Sequence, residues 1–149
     1  MLRSDEHPVK RHSIWMAPGV WLPLVLALYW VMLFTATHIP IKSMPNVPGG
    51  DKSFHLVAYG ILATLFGFFL VVRQDRSLTR AARKARRFPF VGALTVLAVY
   101  AVFDELTQSL VGRQPDIFDC LADLGGIIIG LLLAVIIKHV ALTKVGDTP

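Results

Sequence analysis

Polar side chains interrupt the apolar second half of this chain at two closely spaced segments. Residues 104–108 read Asp-Glu-Leu-Thr-Gln, residues 116–123 contain three aspartates, and Arg113 lies between the two segments. Charged groups are costly where apolar sequence surrounds them, so such residues usually face a partner, a cavity or a substrate. The pattern predicts a binding or catalytic site, although it does not define a reaction.

Helical spacing groups the polar residues further. Asp51 and His55 are four residues apart, which places them on one face of a helix. Asp116, Asp119 and Asp123 follow the spacing i, i+3 and i+7, so they form one acidic stripe along another helix. Both patterns indicate helices that present polar faces to other parts of the protein.

The residue types favour acid–base chemistry and the recognition of an anionic group. Arg113 and Lys52 are suited to hold a phosphate, the first through a bidentate fork and the second as a point charge. His55 is suited to act as a general base or acid, because imidazole titrates near neutrality. The carboxylates could orient these cations or bind a divalent metal through oxygen ligands.

The candidate site residues fall into two groups by predicted role. The candidate catalytic residues are His55, Asp104, Glu105 and Asp119. The candidate substrate-binding residues are Lys52, Gln108, Arg113, Asp116, Asp123 and Asp51. The sequence contains no Walker loop, no Cys-His metal spacing and no serine-hydrolase elbow, so the reaction, the metal and any cofactor stay open.

Long apolar runs show which elements must position these residues. Of the 149 residues, 54% are hydrophobic and 17% are charged, and the mean hydropathy is +0.59, which is unusual for a soluble domain. We expect four transmembrane helices, near residues 16–38, 53–73, 88–111 and 117–138. The sequence thus predicts an all-α membrane protein, a four-transmembrane-helix bundle over residues 16–138 with short tails at 1–15 and 139–149.

Positive charges are distributed unevenly among the predicted tails and connections. Twelve of the 15 Lys and Arg residues lie in or next to the tails or in the connection at residues 73–87. Because cytoplasmic segments are enriched in these residues, both termini and this connection are expected in the cytoplasm. The protein is then a multi-pass protein of the cytoplasmic (inner) membrane, with its polar site facing outward. Topology accounts for the basic connection, so no nucleic-acid partner is expected.

Two motifs resemble those of VanZ-like membrane proteins. Residues 51–60, Asp-Lys-Ser-Phe-His-Leu-Val-Ala-Tyr-Gly, resemble the family pattern D-K-x-x-H-x-x-x-Y. Residues 104–108, Arg113 and residues 116–119 resemble the second signature, D-E-x-x-Q followed by R-x-x-D-x-x-D. The sequence departs from the family pattern at Asp123, where an asparagine is expected.

The resemblance extends over about residues 20–138 and implies a small bacterial membrane protein of the cell envelope. One namesake of the family is associated with low-level resistance to the glycopeptide teicoplanin, so an effect on glycopeptide susceptibility is an open expectation. Independently of the resemblance, Ala122, Gly126 and Gly130 are spaced four apart, a pattern typical of closely packed membrane helices.

Three functions are compatible with this sequence. In the first, an outward-facing polar site binds or modifies an anionic lipid or a lipid-linked cell-wall precursor, in contact with membrane lipids. In the second, the charged residues form a structural ion-pair network in a non-catalytic scaffold. In the third, acidic residues and His55 form a relay in a small ion or proton transporter. Whether the protein is an enzyme, and its oligomeric state, stay open.

Overall fold

Four α-helices form the fold in the computed structural model, which describes residues 18–40, 50–75 and 89–146. The helices are Pro18–Thr37 (α1), Gly50–Asp75 (α2), Phe90–Gln108 (α3) and Ile117–Gly146 (α4). A short 3₁₀ turn, Ser109–Val111, follows α3. These described ranges contain no strand.

Each helix is long and apolar enough to cross a membrane. The candidate spans are Val20–Thr37, Gly50–Arg73, Phe90–Val111 and Ile117–Val140, with mean hydropathies from 1.6 to 2.6. These spans confirm the prediction of an all-α protein with four transmembrane helices.

The helix boundaries differ from the predicted ones by a few residues at most ends, and two of the differences affect the site or the predicted tail. α2 begins at Gly50 rather than at residue 53, and Asp51 in its first turn interacts favourably with the positive end of the helix dipole. α4 continues to Gly146, into the segment predicted as the C-terminal tail. The tail 1–15 and residues 76–87 of the basic connection lie outside the described residues, so the orientation of the termini stays a prediction.

α4 packs closely against α2 because glycines remove the side chains at their contact. A Cβ atom at Gly126 would lie 2.2 Å from the backbone oxygen of Leu56, and one at Gly130 would lie 2.2 Å from the backbone oxygen of Gly60. No side chain tolerates such a distance, so the predicted close packing is confirmed at Gly126 and Gly130. The contact holds the first turns of these two parallel helices side by side.

Aromatic and aliphatic side chains attach α1 and α3 to this pair of helices. The Tyr29 hydroxyl of α1 donates a hydrogen bond to the Ala58 carbonyl of α2 at 2.9 Å. The Trp30 ring lies edge-on to the rings of Phe66 and Tyr100, with centroids 6.0 and 5.0 Å away. Fully buried side chains from α2, α3 and α4 complete the core: Tyr59, Leu62, Leu97, Ile127 and Leu131.

The order and direction of the helices collect the polar segments at one end of the bundle. The C-terminal ends of α1 and α3 make contact there through Thr37 and Asp104, and the N-terminal ends of α2 and α4 make contact through Lys52 and Asp116. The short connection from α3 to α4 turns at Gly112, whose φ of +78° favours glycine. Arg113 follows directly, and its backbone N–H donates to the Gln108 carbonyl at 3.2 Å.

Replacing Gly126 or Gly130 by alanine is expected to lower the stability of the purified protein in detergent. The added Cβ would overlap a backbone oxygen, and overpacking of this kind costs about 1–3 kcal/mol. Gly125→Ala is the matched control, since its Cβ would meet only the Leu56 side chain, at 3.7 Å. Thermal unfolding measures the effect, and equal melting temperatures for Gly126→Ala and Gly125→Ala would contradict the packing described.

Candidate functional site

The structure places all ten predicted site residues at the same end of the bundle, where hydrogen bonds and ion pairs connect them. We call this set the polar cluster: Asp51, Lys52, His55, Asp104, Glu105, Gln108, Arg113, Asp116, Asp119 and Asp123. Three of them, Asp51, Lys52 and Asp116, form a partly exposed rim, and the other seven are buried. In the part of the chain that the structure describes, every buried charged side chain belongs to this cluster.

His55 and Asp123 form a fully buried pair between α2 and α4. His55 Nδ1 lies 2.9 Å from Asp123 Oδ1, and the two side chains are 0% and 1% exposed. With the ionised Asp123 carboxylate as acceptor, Nδ1 is the donor, and Nε2 is the ring nitrogen left for another partner. Nε2 is buried without a hydrogen-bond partner and lies 3.9 Å from Asp51 Oδ1, which is also buried and unpartnered. His55 is thus positioned as a base or as a metal ligand.

Arg113 joins three parts of the fold from inside the protein. Its Nη2 donates to the Asp51 carboxylate on α2, and its Nη1 donates to the Thr37 carbonyl at the end of α1, at 3.3 Å. The side chain is only 4% exposed. Because Arg113 itself belongs to the α3–α4 connection, these bonds hold the ends of α1 and α2 against that connection. The guanidinium therefore serves internal contacts in this structure.

Lys52 lies at the rim and links α2 to the start of α4. Its Nζ donates to Asp116 at 2.8 Å and to Asp119 at 3.3 Å, while its side chain remains 51% exposed. The hydrogen bond from Lys52 holds the pKa of the Asp116 carboxyl below its usual range. Asp116 also accepts from the backbone N–H of Phe118 at 2.8 Å, which caps the first turn of α4.

The polar end of α3 is tied to both of its neighbours. Glu105 accepts from the backbone N–H of Asp116 with one oxygen and from Gln108 Nε2, at 3.2 Å, with the other. Asp104 accepts from the Thr37 hydroxyl at 3.0 Å. Both Glu105 oxygens are therefore already engaged inside the protein.

Sequence reasoning missed two participants on α1. Thr37 is fully buried and bonds Asp104, and His38 Nε2 lies 3.0 Å from the Thr107 hydroxyl. A lone threonine in an apolar helix usually bonds the backbone of its own helix. Apart from its position in the last turn of α1, the sequence therefore contained no indication that Thr37 contacts Asp104.

By formal charge, carboxylates outnumber cations in the polar cluster. Six carboxylates face two permanently charged cations, Lys52 and Arg113. Two groups have ligand atoms within 4.8 Å of one another and could hold a metal ion, namely Asp51 with His55 and Asp119, and His55 with Glu105 and Asp123. The cluster as a whole therefore attracts cations.

An apolar groove of about 370 Å³ lies between α2 and α4 beside the polar cluster. It begins at Leu56, which follows His55 in the chain, and at Gly126, three residues after Asp123. The only hydroxyl in its lining, Thr64, donates to the Gly60 carbonyl at 2.8 Å. The groove thus offers an apolar surface suited to a hydrocarbon chain.

Comparison with known proteins gives one match. A family model described as VanZ/LLP1 matches residues 17–138, which include the whole polar cluster and nearly all of the four spans. The match confirms the resemblance drawn from residues 51–60 and 104–119. No curated protein and no solved structure matches the chain.

Arg113→Ala is expected to destabilise the protein, because it removes the donor that Asp51 and the Thr37 carbonyl share. Losing one partner of a buried ion pair costs about 3–5 kcal/mol, and the partial exposure of Asp51 places the loss toward the lower end. Lys52→Ala is the control, since an exposed ion pair contributes about 0–1 kcal/mol. Thermal unfolding in detergent compares the two variants, and an Arg113→Ala protein as stable as Lys52→Ala would refute the structural role.

Proposed function

The chain belongs to the VanZ/LLP1 family, and from that membership we propose that this multi-pass membrane protein binds or modifies an anionic amphipathic substrate of the bacterial cell envelope. The substrate is a membrane lipid or a lipid-linked cell-wall precursor. Its polar head enters the polar cluster, and its hydrocarbon chain lies in the groove between α2 and α4.

One observation carries this proposal: the polar cluster and the apolar groove are built from the same two helices and meet at adjacent residues. His55 and Asp123 lie in the cluster, whereas Leu56 and Gly126 line the groove. An amphipathic molecule at a membrane surface needs this combination of a polar and an apolar surface. Ligands with only one of the two characters would leave the other surface unused.

The contacts support different roles for the cations and for the acid–base group. Lys52 is half exposed at the rim, so it is the cation placed to meet a phosphate, while Arg113 holds the fold beneath it. In a catalytic version without a bound metal ion, His55 Nε2 takes the proton from a water or hydroxyl that attacks a phosphoryl or acyl group, and Asp123 orients the ring. The bond to the leaving alcohol then breaks, and the imidazolium returns the proton to that alcohol. Asp104, Glu105 and Asp119 then act as positioning groups around the reacting atoms.

A structural ion-pair network is the second candidate, and the contacts of Arg113 favour it. A buried guanidinium that bonds Asp51 and the Thr37 carbonyl stabilises the helix ends without any ligand. The unpartnered nitrogen of His55 favours the ligand site over this candidate, because a purely structural network would satisfy its buried polar atoms. No comparable observation favours a transporter, since the buried charges of the described residues lie at one end of the bundle.

The proposal also includes the side of the membrane that the polar cluster faces and an effect on glycopeptide susceptibility. The distribution of Lys and Arg along the sequence supports a cytoplasmic-membrane protein with both termini in the cytoplasm and the polar cluster facing outward. A site that binds a lipid-linked cell-wall precursor on that side would compete with glycopeptides for the same envelope material. Altered glycopeptide susceptibility is then a consequence of binding rather than a separate activity.

Val57→Trp is expected to weaken the binding of phosphatidylglycerol to lipid-free protein by about tenfold or more, because the indole fills a groove suited to an acyl chain. Native mass spectrometry in mild detergent counts the retained lipid, with undecaprenyl phosphate as a second probe for a lipid-linked substrate. Val99→Trp is the matched control, as Val99 is similarly exposed but lies on α3 outside the groove. Equal retention by both tryptophan variants would contradict the proposed binding mode.

Lys52→Ala is expected to reduce phosphatidylglycerol binding while leaving binding of zwitterionic phosphatidylcholine unchanged, because only the anionic headgroup gains from the ammonium group. The same mass spectrometry experiment compares the two lipids. Loss of both lipids together would show that the substitution acts on the fold and not on headgroup recognition.

Fusions at the C-terminus test the orientation. Green fluorescent protein attached after Pro149 is expected to fluoresce, and alkaline phosphatase attached there is expected to be inactive, because the C-terminus lies in the cytoplasm. Truncation fusions in the α3–α4 connection, at Gln114, should give the reverse result. An active phosphatase at Pro149 would place the polar cluster on the cytoplasmic side.

A further inference from the structure

The polar cluster contains more negative charge than its own cations neutralise. Six carboxylates surround Lys52 and Arg113, and four of these carboxylates are buried. Burying unpaired charge is costly, so such a group binds protons or an external cation. An anionic headgroup alone would add to the imbalance.

We propose that His55, Asp51 and Asp119 bind a divalent transition-metal ion at the mouth of the polar cluster. Each of the three offers a ligand atom, and these atoms lie within 4.8 Å of one another. The alternative group of His55, Glu105 and Asp123 is less suited, because both Glu105 oxygens accept internal hydrogen bonds. Asp123 bonds the opposite ring nitrogen of His55 through Oδ1, so it supports the ring from the side away from Nε2, although its Oδ2 has no partner.

The buried ring of His55 is already oriented as a metal-bound histidine would be. Histidine ligands usually donate their other ring N–H to a carboxylate, which fixes the tautomer and the direction of the ring. Asp123 performs this role at Nδ1 at 2.9 Å, and the fully buried Nε2 is left without a hydrogen-bond partner. Nε2 faces Asp51 Oδ1, a second buried atom without a partner, at 3.9 Å.

Asp51 and Asp119 can each contribute one oxygen to the ion, and each is also bonded by a cationic side chain of the protein. Asp51 bonds Arg113 through Oδ2, which leaves Oδ1 for the ion. Among the side chains that the structure describes, Asp119 is bonded by the long and half-exposed Lys52 at 3.3 Å, a contact that an arriving ion can replace. The partial exposure of Asp51, 34% of its side chain, provides a route for the ion from the membrane surface.

The donor set indicates the class of ion. One imidazole nitrogen with two carboxylate oxygens suits Zn²⁺ or Mn²⁺, whereas Ca²⁺ and Mg²⁺ prefer ligand sets made of oxygen alone. Three protein ligands leave at least one position open, as in catalytic metal sites. Binding of the ion does not depend on the proposed function. The role of the ion rests on that function, because there it would neutralise the carboxylates and hold an anionic headgroup.

Metal binding is tested on the full chain, purified without a polyhistidine tag, stripped with a chelator and kept free of added lipid. Titration with Zn²⁺, Mn²⁺ and Mg²⁺ by calorimetry, with elemental analysis of the product, is expected to show one Zn²⁺ or Mn²⁺ per chain and weaker Mg²⁺ binding. His55→Gln should weaken binding by about 100-fold and Asp123→Asn by about 10–100-fold, since ligands and their supporting carboxylates both contribute to affinity.

His38→Gln is the matched control, because His38 lies at the same end but both of its ring nitrogens have partners within the protein. Unchanged affinity in His38→Gln together with a loss in His55→Gln supports the site. Equal affinity in wild type and His55→Gln overturns it, as does the absence of Zn²⁺ and Mn²⁺ binding by wild type.

A second measurement does not depend on the folding of the His55 variant. Electron spin echo spectroscopy of the Mn²⁺-loaded protein is expected to show nitrogen modulation from one imidazole, retained when the other four histidines, His7, His12, His38 and His139, are replaced by asparagine. Bound Mn²⁺ without nitrogen modulation would overturn the proposal. Lipid is absent from this measurement, so a negative result overturns the metal site alone. The lipid-binding experiments with the tryptophan variants then decide the proposed function separately.

Discussion

The cost of placing charge at membrane depth governs this structure. Asp104, Asp119 and Asp123 are buried beside long apolar helices, where an isolated carboxylate would be expelled toward water. Each of them instead meets a donor from another helix: Thr37 of α1 for Asp104, and Lys52 and His55 of α2 for the two aspartates of α4. The positions of the helix ends follow from these pairings as much as from apolar packing.

Glycine packing makes the pairings possible. The contact of Gly126 and Gly130 with the backbone of α2 lets two parallel helices approach more closely than side chains would allow. Because Gly126 lies one helical turn after Asp123, the same contact fixes the level at which that aspartate meets His55. If α2 and α4 lay further apart, the buried pair of His55 and Asp123 would break, and the glycines that line the groove would be exposed. The helix packing and the polar contacts therefore depend on each other.

The sequence was sufficient to predict the helices and to single out ten polar residues that lie at one end of the bundle, because both depend on local patterns. Apolar length identified the spans, and the spacing of Asp116, Asp119 and Asp123 placed them on one face. The sequence could not predict which groups these residues bond, because those partners depend on how the helices are rotated relative to one another. Arg113, predicted to hold a phosphate, bonds Asp51 and a carbonyl inside the fold, and Thr37 was not anticipated at all.

A structural network and a ligand site are compatible in one cluster, and the contacts divide the residues between them. Arg113 bonds Asp51 and the Thr37 carbonyl, and Glu105 bonds Gln108 and the Asp116 backbone, so these bonds need no ligand. His55 differs, because one ring nitrogen is held by Asp123 while the other faces an unpartnered oxygen of Asp51. Folding alone would favour satisfying both atoms or replacing them with apolar groups. The two unpartnered atoms of His55 and Asp51 lie beside a rigid supporting network. This arrangement suits a binding site, because preorganised ligand atoms need not move when the bound group arrives.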